Sequence, residues 1–518
     1  MQRPPKIFHT ILLLLLAALF FAGCRGRLAP QPAPSVSQAA PSVQQTPAGT
    51  TNPALATTAP GDIPTTQQPV VSPAPNASPT ADLAPIRPRY VLTATLNDRQ
   101  HHLTVDERID YTNNTSTPLE ALLLMVEPAY YPGVFHLNQV KVGDSPAEPV
   151  WDGAQASLPL PTPLFPGQAA HVQIVFELAL PSPQPSPGTR PVPFGYTARQ
   201  TNLVDWYPFI PPYVEGKGWL AHPAGYFGEH LAYEQADFEV NLRLEDPDPQ
   251  LIVAASASPV QVGDWQRYRL EAARDFVFSV SDEYQVLTET VGTVTVLGYA
   301  FPFHKQAGEA ALKTTAQALA LYQGLYGPYP HATLSVVEAD FLDGMEYDGL
   351  FFLSNGFYNL YTGTPGEYLI AIAAHETAHE WFFGLVGNDQ AMEPWLDEAL
   401  CTYSERLYYE KVAPEGLDWW WAYRVNYYEP KGWVNGTIYD YGGLAEPFRT
   451  YRDAVYLNGA IFLENLRKSM GDEDFFAFLK DYVAQNAHRL ATGEDFFRIL
   501  DEHTRMDLTP LISQFFHP

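Results

Sequence analysis

Two histidines in His375-Glu376-Thr377-Ala378-His379 are the residues of this 518-residue chain best spaced to do chemistry together. On a helix, a spacing of four puts both imidazoles on one face, a turn apart, within reach of a single metal ion. Glu376 lies beside them, placed to take a proton from water that such an ion activates. Alone, the five residues also fit a helix carrying two ordinary histidines. A catalytic zinc needs a third protein ligand and an open fourth position. Eighteen residues separate His379 from Glu398, and Gly384, Gly387 and Pro394 lie between them. That stretch implies a helix–loop–helix return able to bring the carboxylate onto the histidine pair. A rival zinc pattern would need Gly at 382 and His at 385, where the chain has Phe382 and Leu385. His375, His379 and Glu398 thus form a donor set suited to one Zn2+.

These residues need helices to hold them. Helical periodicity covers 367–385, 394–410 and 453–469, and Pro394 suits a first turn, where its missing N–H costs nothing. A further helix over 310–326 ends before Gly327-Pro328, and 334–352 reads as sheet. Upstream, from Tyr90 to about Phe303, short runs such as 90–96, 171–176 and 238–244 alternate apolar and polar residues between turn-rich spacers. That period of two predicts antiparallel sheet in a sandwich-like domain. The expected fold class is therefore α+β and multidomain, with a β-sandwich-like region at 89–303 and a mainly helical catalytic region at 304–518.

The chain resembles the aminopeptidase N family of gluzincin metallopeptidases, which includes leukotriene hydrolase. His375-Glu376-x-x-His379, with eighteen residues before Glu398, matches that family's zinc signature. The stretches 379–388 and 395–398 are similar to its bacterial branch. Gly344-Met345-Glu346 resembles the Gly-x-Met-Glu-Asn motif, which implies that Glu346 binds the free α-amino group of a peptide substrate. Tyr456 in 455–460 resembles the tyrosine of the Tyr-x-Lys-Gly helix, which implies a contact with the transition-state oxyanion. The resemblance runs from about Tyr90 onward and implies a β-rich domain before a thermolysin-like catalytic domain. Four positions depart from the pattern: Asp343, Tyr347 in place of Asn, Asn458 in place of Lys, and Ala399 in place of Gly. None touches the metal donors, and all bear on the side-chain pocket and amino-terminal selectivity. Larger members add a C-terminal helical domain, so a more open cleft is expected here.

Glu405, seven residues past Glu398, lies two turns along the same helical face. It reads either as the orienter of a ligand histidine or as a solvated carboxylate. Cys401, one turn past Glu398, reads as a small buried core residue. The aromatic stretch 419–433 reads as helix packing or as a cleft wall.

Composition sets the remaining bounds. With 30 Lys+Arg against 58 Asp+Glu, the formal charge of −28 argues against a nucleic-acid partner, which needs a basic face. Cys24 and Cys401 are the two cysteines, which excludes a disulfide framework. Arg3 and Lys6 precede an apolar run over 11–21, then Ala22-Gly23-Cys24. That order predicts a signal peptide over 1–24, and 21–24 resembles a bacterial lipobox with Cys24 as the lipidated residue. Residues 25–88 are rich in Pro, Ala, Thr and Ser and read as a tether reaching ~40 Å. The expected protein is a lipid-anchored, extracytoplasmic zinc aminopeptidase acting on peptides with a free N-terminus. The alternatives are a zinc endopeptidase or other hydrolase with no free-amine requirement, and a catalytically inactive surface-binding lipoprotein.

Overall fold

Alternation governs the first half of the folded chain. In the strand Arg89–Asn97, Tyr90, Leu92, Ala94 and Leu96 are buried while the residues between them are partly exposed. This follows from side chains pointing to opposite faces of a pleated strand. The computed structural model describes residues 86–182, 192–245, 247–248 and 250–517; the lipobox cysteine Cys24 and almost all of the expected tether lie outside them. The described residues belong to one unit, Asp82–Pro518.

An eight-stranded sheet runs in the order Val260–Val262, Trp265–Ala273, Ala236–Leu244, Arg89–Asn97, His102–Thr112, Ala169–Ala179, Phe135–Val142 and Ser145–Pro146. A three-stranded sheet (Leu119–Met125, Gln155–Leu164, Val150–Asp152) adds Leu122, Leu124, Ala156 and Leu158 to the same core. The β-rich region is thus as alternation predicts, with one difference. Arg89–Asn97 lies parallel to Ala236–Leu244, with Leu92 opposite Val240. Strand direction is set by long-range pairing, and a period of two reads the same either way.

A five-stranded mixed sheet follows, ordered Gln285–Val291, Val294–Ala300, Thr333–Ala339, Leu350–Ser354 and Gly344–Met345. The boundary expected at 303/304 cuts through it, because Val294–Ala300 pairs in parallel with Thr333–Ala339 across the helix Lys305–Tyr326. Both faces of this sheet are covered. Leu334, Val336, Phe351 and Leu353 face a helical core, while Val337, Ala339, Leu350 and Phe352 join the core of the β-rich region. Strands covered on both sides read as continuous apolar runs and lose the alternation that marks a half-exposed sheet.

The helices that carry the site pack on the first of these faces. The helix expected over 367–385 is regular only over Tyr368–His379. Beyond it the backbone breaks at Phe382 (φ −104°, ψ 57°) and Phe383 (φ 171°, ψ −67°). The reason is tertiary: Phe382 is buried in the helical core and Phe383 in the core of the β-rich region. The second helix spans Trp395–Lys411. The third begins earlier than expected, at Pro447, and passes through a widened turn at Asp453–Asn458 into Gly459–Met470.

Gly459 explains one departure from the family pattern. A Cβ added there would collide with the Cβ of Ala399, so the methyl group at 399 fits because 459 carries none. Gly459→Ala is expected to lower stability by about 1–3 kcal/mol through overpacking. Adding Ala399→Gly to the same chain is expected to restore most of the loss, read as the melting temperature of each variant.

Candidate metal centre and active site

The histidine helix is buried from Leu369 to His379, so its polar side chains must find partners inside the protein. His375 and His379 stand one turn apart, with Nε2 atoms 3.2 Å from each other. Glu398 enters from the helix Trp395–Lys411, and its Oε2 lies 3.1 Å from His375 Nε2 and 3.6 Å from His379 Nε2. The three donors converge within 4.8 Å of one another. Two inward-facing imidazole nitrogens and a buried carboxylate oxygen fit a zinc ion in number and chemistry.

Glu405 is fully buried, and it orients His375. Its Oε1 lies 2.9 Å from His375 Nδ1 and so takes that nitrogen's proton in a hydrogen bond, which leaves Nε2 to face the other donors. Trp420 Nε1 (2.8 Å) and Arg424 Nε and Nη2 (3.0 and 2.8 Å) donate to the same carboxylate. Burial raises the pKa of Glu405, but Arg424 and His375 outweigh it and the net shift is downward. Burial likewise opposes protonation of His375, yet its hydrogen bonds to Glu398 and Glu405 raise its pKa to about 9 without metal. No sequence signal tied Trp420 or Arg424 to Glu405, because only the fold sets them beside it. The aromatic stretch is split in the structure: Trp420 is buried, whereas Tyr423, Tyr427 and Trp433 are exposed. His379 Nδ1 points at the carbonyl of Phe382, 3.2 Å away. The break in the helix turns that carbonyl back toward the ring.

Glu376 sits against the sheet edge Gly344–Met345. A Cβ at Gly344 would strike the Glu376 carboxyl and Ile372, so this strand approaches the helix closely only as glycine. Burial, followed by Glu346 and Glu398 among the raising charges, outweighs the two histidines and lifts the Glu376 pKa to about 8. Its Oε2 has no hydrogen-bond partner among the described residues. Glu346, Glu376 and His379 form one cluster of donor atoms within 4.8 Å, and Glu229, Glu346 and Glu398 form another. Gln390 donates to both Glu346 (3.0 Å) and Asp397 (2.8 Å), while Asn388 donates to Asp397 (3.2 Å). Sequence reading missed Glu229, which lies in an irregular stretch of the β-rich region with no periodic signal. Met345 and Tyr347 are buried in the core of the β-rich region.

Tyr456 hydrogen-bonds to Glu398 Oε1 through its hydroxyl, and its ring lies parallel to that of His375, 6.1 Å between centroids. All of the sequence-nominated residues are therefore at one place. Cys401 is buried and belongs to none of the donor clusters among the described residues.

Residues 310–515 match the family profile described as Peptidase family M1 domain. That stretch of the chain is similar to the M1 peptidases. Among its relatives, human aminopeptidase O is 26% identical over 225 residues, covering 38% of this chain and 27% of that protein. Aminopeptidase N of Streptomyces lividans is 28% identical over 159 residues, covering 28% of this chain and 18% of that protein. The match thus spans about a quarter or less of these curated relatives. The M1 zinc metallopeptidase from Deinococcus radiodurans superposes with a TM-score of 0.58 at 18% identity, over 82% of this chain and 92% of that one. The two share a fold.

Glu405→Gln removes the charge that His375 leans on while keeping its shape. It is expected to weaken zinc binding by about tenfold or more, measured by competition with a chromogenic chelator on a variant whose circular dichroism is unchanged.

Proposed function

We propose that this M1 domain makes the chain a zinc aminopeptidase, with His375, His379 and Glu398 as ligands of one zinc ion. Bound there, the ion supplies the Lewis acidity that makes water a nucleophile at neutral pH. The remaining work falls to the chain's own side chains. Glu376, close to Glu346 and His379, takes a proton from the attacking water and returns it to the departing amine. A pKa raised toward neutrality by burial suits a group that must do both. Tyr456 now hydrogen-bonds to Glu398; turned toward the substrate, its hydroxyl would donate to the oxyanion that develops on the scissile carbonyl.

The observation that carries this reading is the second carboxylate cluster. Glu346 and Glu229 lie buried beside the metal donors, within 4.8 Å of Glu398. Buried carboxylates call for a cation, and the ammonium of a peptide N-terminus supplies one at a fixed distance from the scissile bond. This supports removal of residues one at a time from peptides with a free N-terminus. Glu376→Gln is expected to keep zinc, by metal analysis, and to lose at least about a hundredfold in kcat. N-acetylation of a peptide is expected to abolish its cleavage; equal cleavage of free and acetylated forms would overturn the exopeptidase reading.

We also propose extracytoplasmic attachment through lipid on Cys24. The basic start, the short apolar run and Ala22-Gly23-Cys24 support it. Cys24→Ala is expected to move the protein from the detergent phase to the aqueous phase of a membrane partition; retention with the membrane would remove this assignment.

A further inference from the structure

Next to Glu346 and Glu229 lies a cavity of about 160 Å³ whose lining includes Tyr131, Phe194 and Leu231 from the β-rich region. Met345, Tyr347 and Phe383 also line it. Glu229, Glu346 and Gln390 are part of the same lining, so the cavity begins where a substrate ammonium would be held. The Cα of an N-terminal residue is one bond from its ammonium, and its side chain one bond further. A peptide anchored by these carboxylates can therefore send its first side chain into this space.

Size and chemistry then narrow the choice. An apolar cavity of ~150 Å³ accepts a benzene ring. The lining includes several rings, with Tyr131 and Phe194 tilted at 5.5 Å and Tyr233 edge-on to Phe383 at 6.1 Å, so a further ring can pack against them edge-to-face or offset. Besides Glu229 and Glu346, two further carboxylates in the lining could instead attract a basic side chain, but both are engaged. Glu127 lies 3.3 Å from His230 Nε2, and Asp205 accepts the Tyr233 hydroxyl at 2.5 Å.

Resting on the aminopeptidase reading, we propose that this cavity selects a single-ring aromatic side chain, phenylalanine or tyrosine, at the peptide N-terminus. The selectivity is built mainly by the β-rich region, and Leu231 is one of its determinants. Its position in the wall makes it a site where added bulk occupies the space meant for the ring.

The test uses the full, zinc-loaded chain with alanyl, leucyl, phenylalanyl, tyrosyl and arginyl reporter amides. The phenylalanyl and tyrosyl compounds are expected to give kcat/KM at least about tenfold above the alanyl and arginyl ones. Leu231→Trp, or Val192→Phe on the half-buried wall should the first variant not fold, is expected to lower the phenylalanyl-to-alanyl ratio about tenfold or more. Equilibrium binding of Phe-Ala-Ala and Ala-Ala-Ala to zinc-loaded Glu376→Gln repeats the comparison without turnover. Preference for the alanyl or arginyl compound, or a ratio unmoved by the filling variants, overturns the proposal and leaves the peptidase reading standing. Equal cleavage of acetylated peptides overturns that reading instead, and the binding comparison still decides what the cavity takes.

Discussion

Burial of negative charge is the constraint on which the centre depends. Glu229, Glu346, Glu376, Asp397, Glu398 and Glu405 are all buried within or beside the donor clusters. An isolated carboxylate costs several kcal/mol or more to bury unless it is paired or protonated. The fold meets this cost for several of them with partners, while Glu376 responds by a raised pKa. Glu405 is neutralised permanently by Arg424 and braced by Trp420, and Asp397 is held by the amides of Asn388 and Gln390. Glu398 leans on His375 and His379, and Glu346 on Gln390; with Glu229 in the same cluster, the negative charge here still calls for cations. A metal ion and a substrate ammonium answer that need, so the electrostatic demand of the folded chain and the proposed chemistry coincide.

A second constraint is proximity. The edge strand Gly344–Met345 lies against the histidine helix because residue 344 has no side chain, and that contact sets Glu346 beside Glu376. The helix can in turn be straight only as far as His379, since Phe382 and Phe383 are drawn into different cores. The break this forces returns the Phe382 carbonyl to His379. Arg274 secures the junction from the β-rich side: it donates to the Phe383 carbonyl, to Tyr233 at 2.8 Å and to Arg489 at 3.1 Å. Packing of the two regions and orientation of a candidate metal donor are therefore one problem with one solution.

Much of this was legible in advance. A spacing of four on a helix, and a carboxylate at a fixed remove, follow from local geometry that any helix imposes, so the three donors and Glu376 could be named from types and positions. Gly344, Met345, Glu346 and Tyr456 could be nominated only through resemblance, because nothing in their local pattern distinguishes them from core or surface residues. The sheet that straddles 303/304 was not legible for a related reason. The strands Gln285–Val291 and Val294–Ala300 alternate as sandwich strands would, and only their pairing with Thr333–Ala339 shows which sheet they serve.

The amino-acid order alone determined which residues could form a metal-binding helix face, where the β-rich patterning gives way to helix, and what net charge the protein carries. These depend on periods of two and of 3.6 residues and on composition, which are properties of neighbours in the chain. Tertiary structure alone decided that Glu405 braces His375, that Arg424 and Trp420 brace Glu405, that Glu229 joins Glu346, and that a ring-sized cavity opens beside them. Each of those depends on side chains brought together from separate elements by the burial of two cores, and no local period records such a meeting.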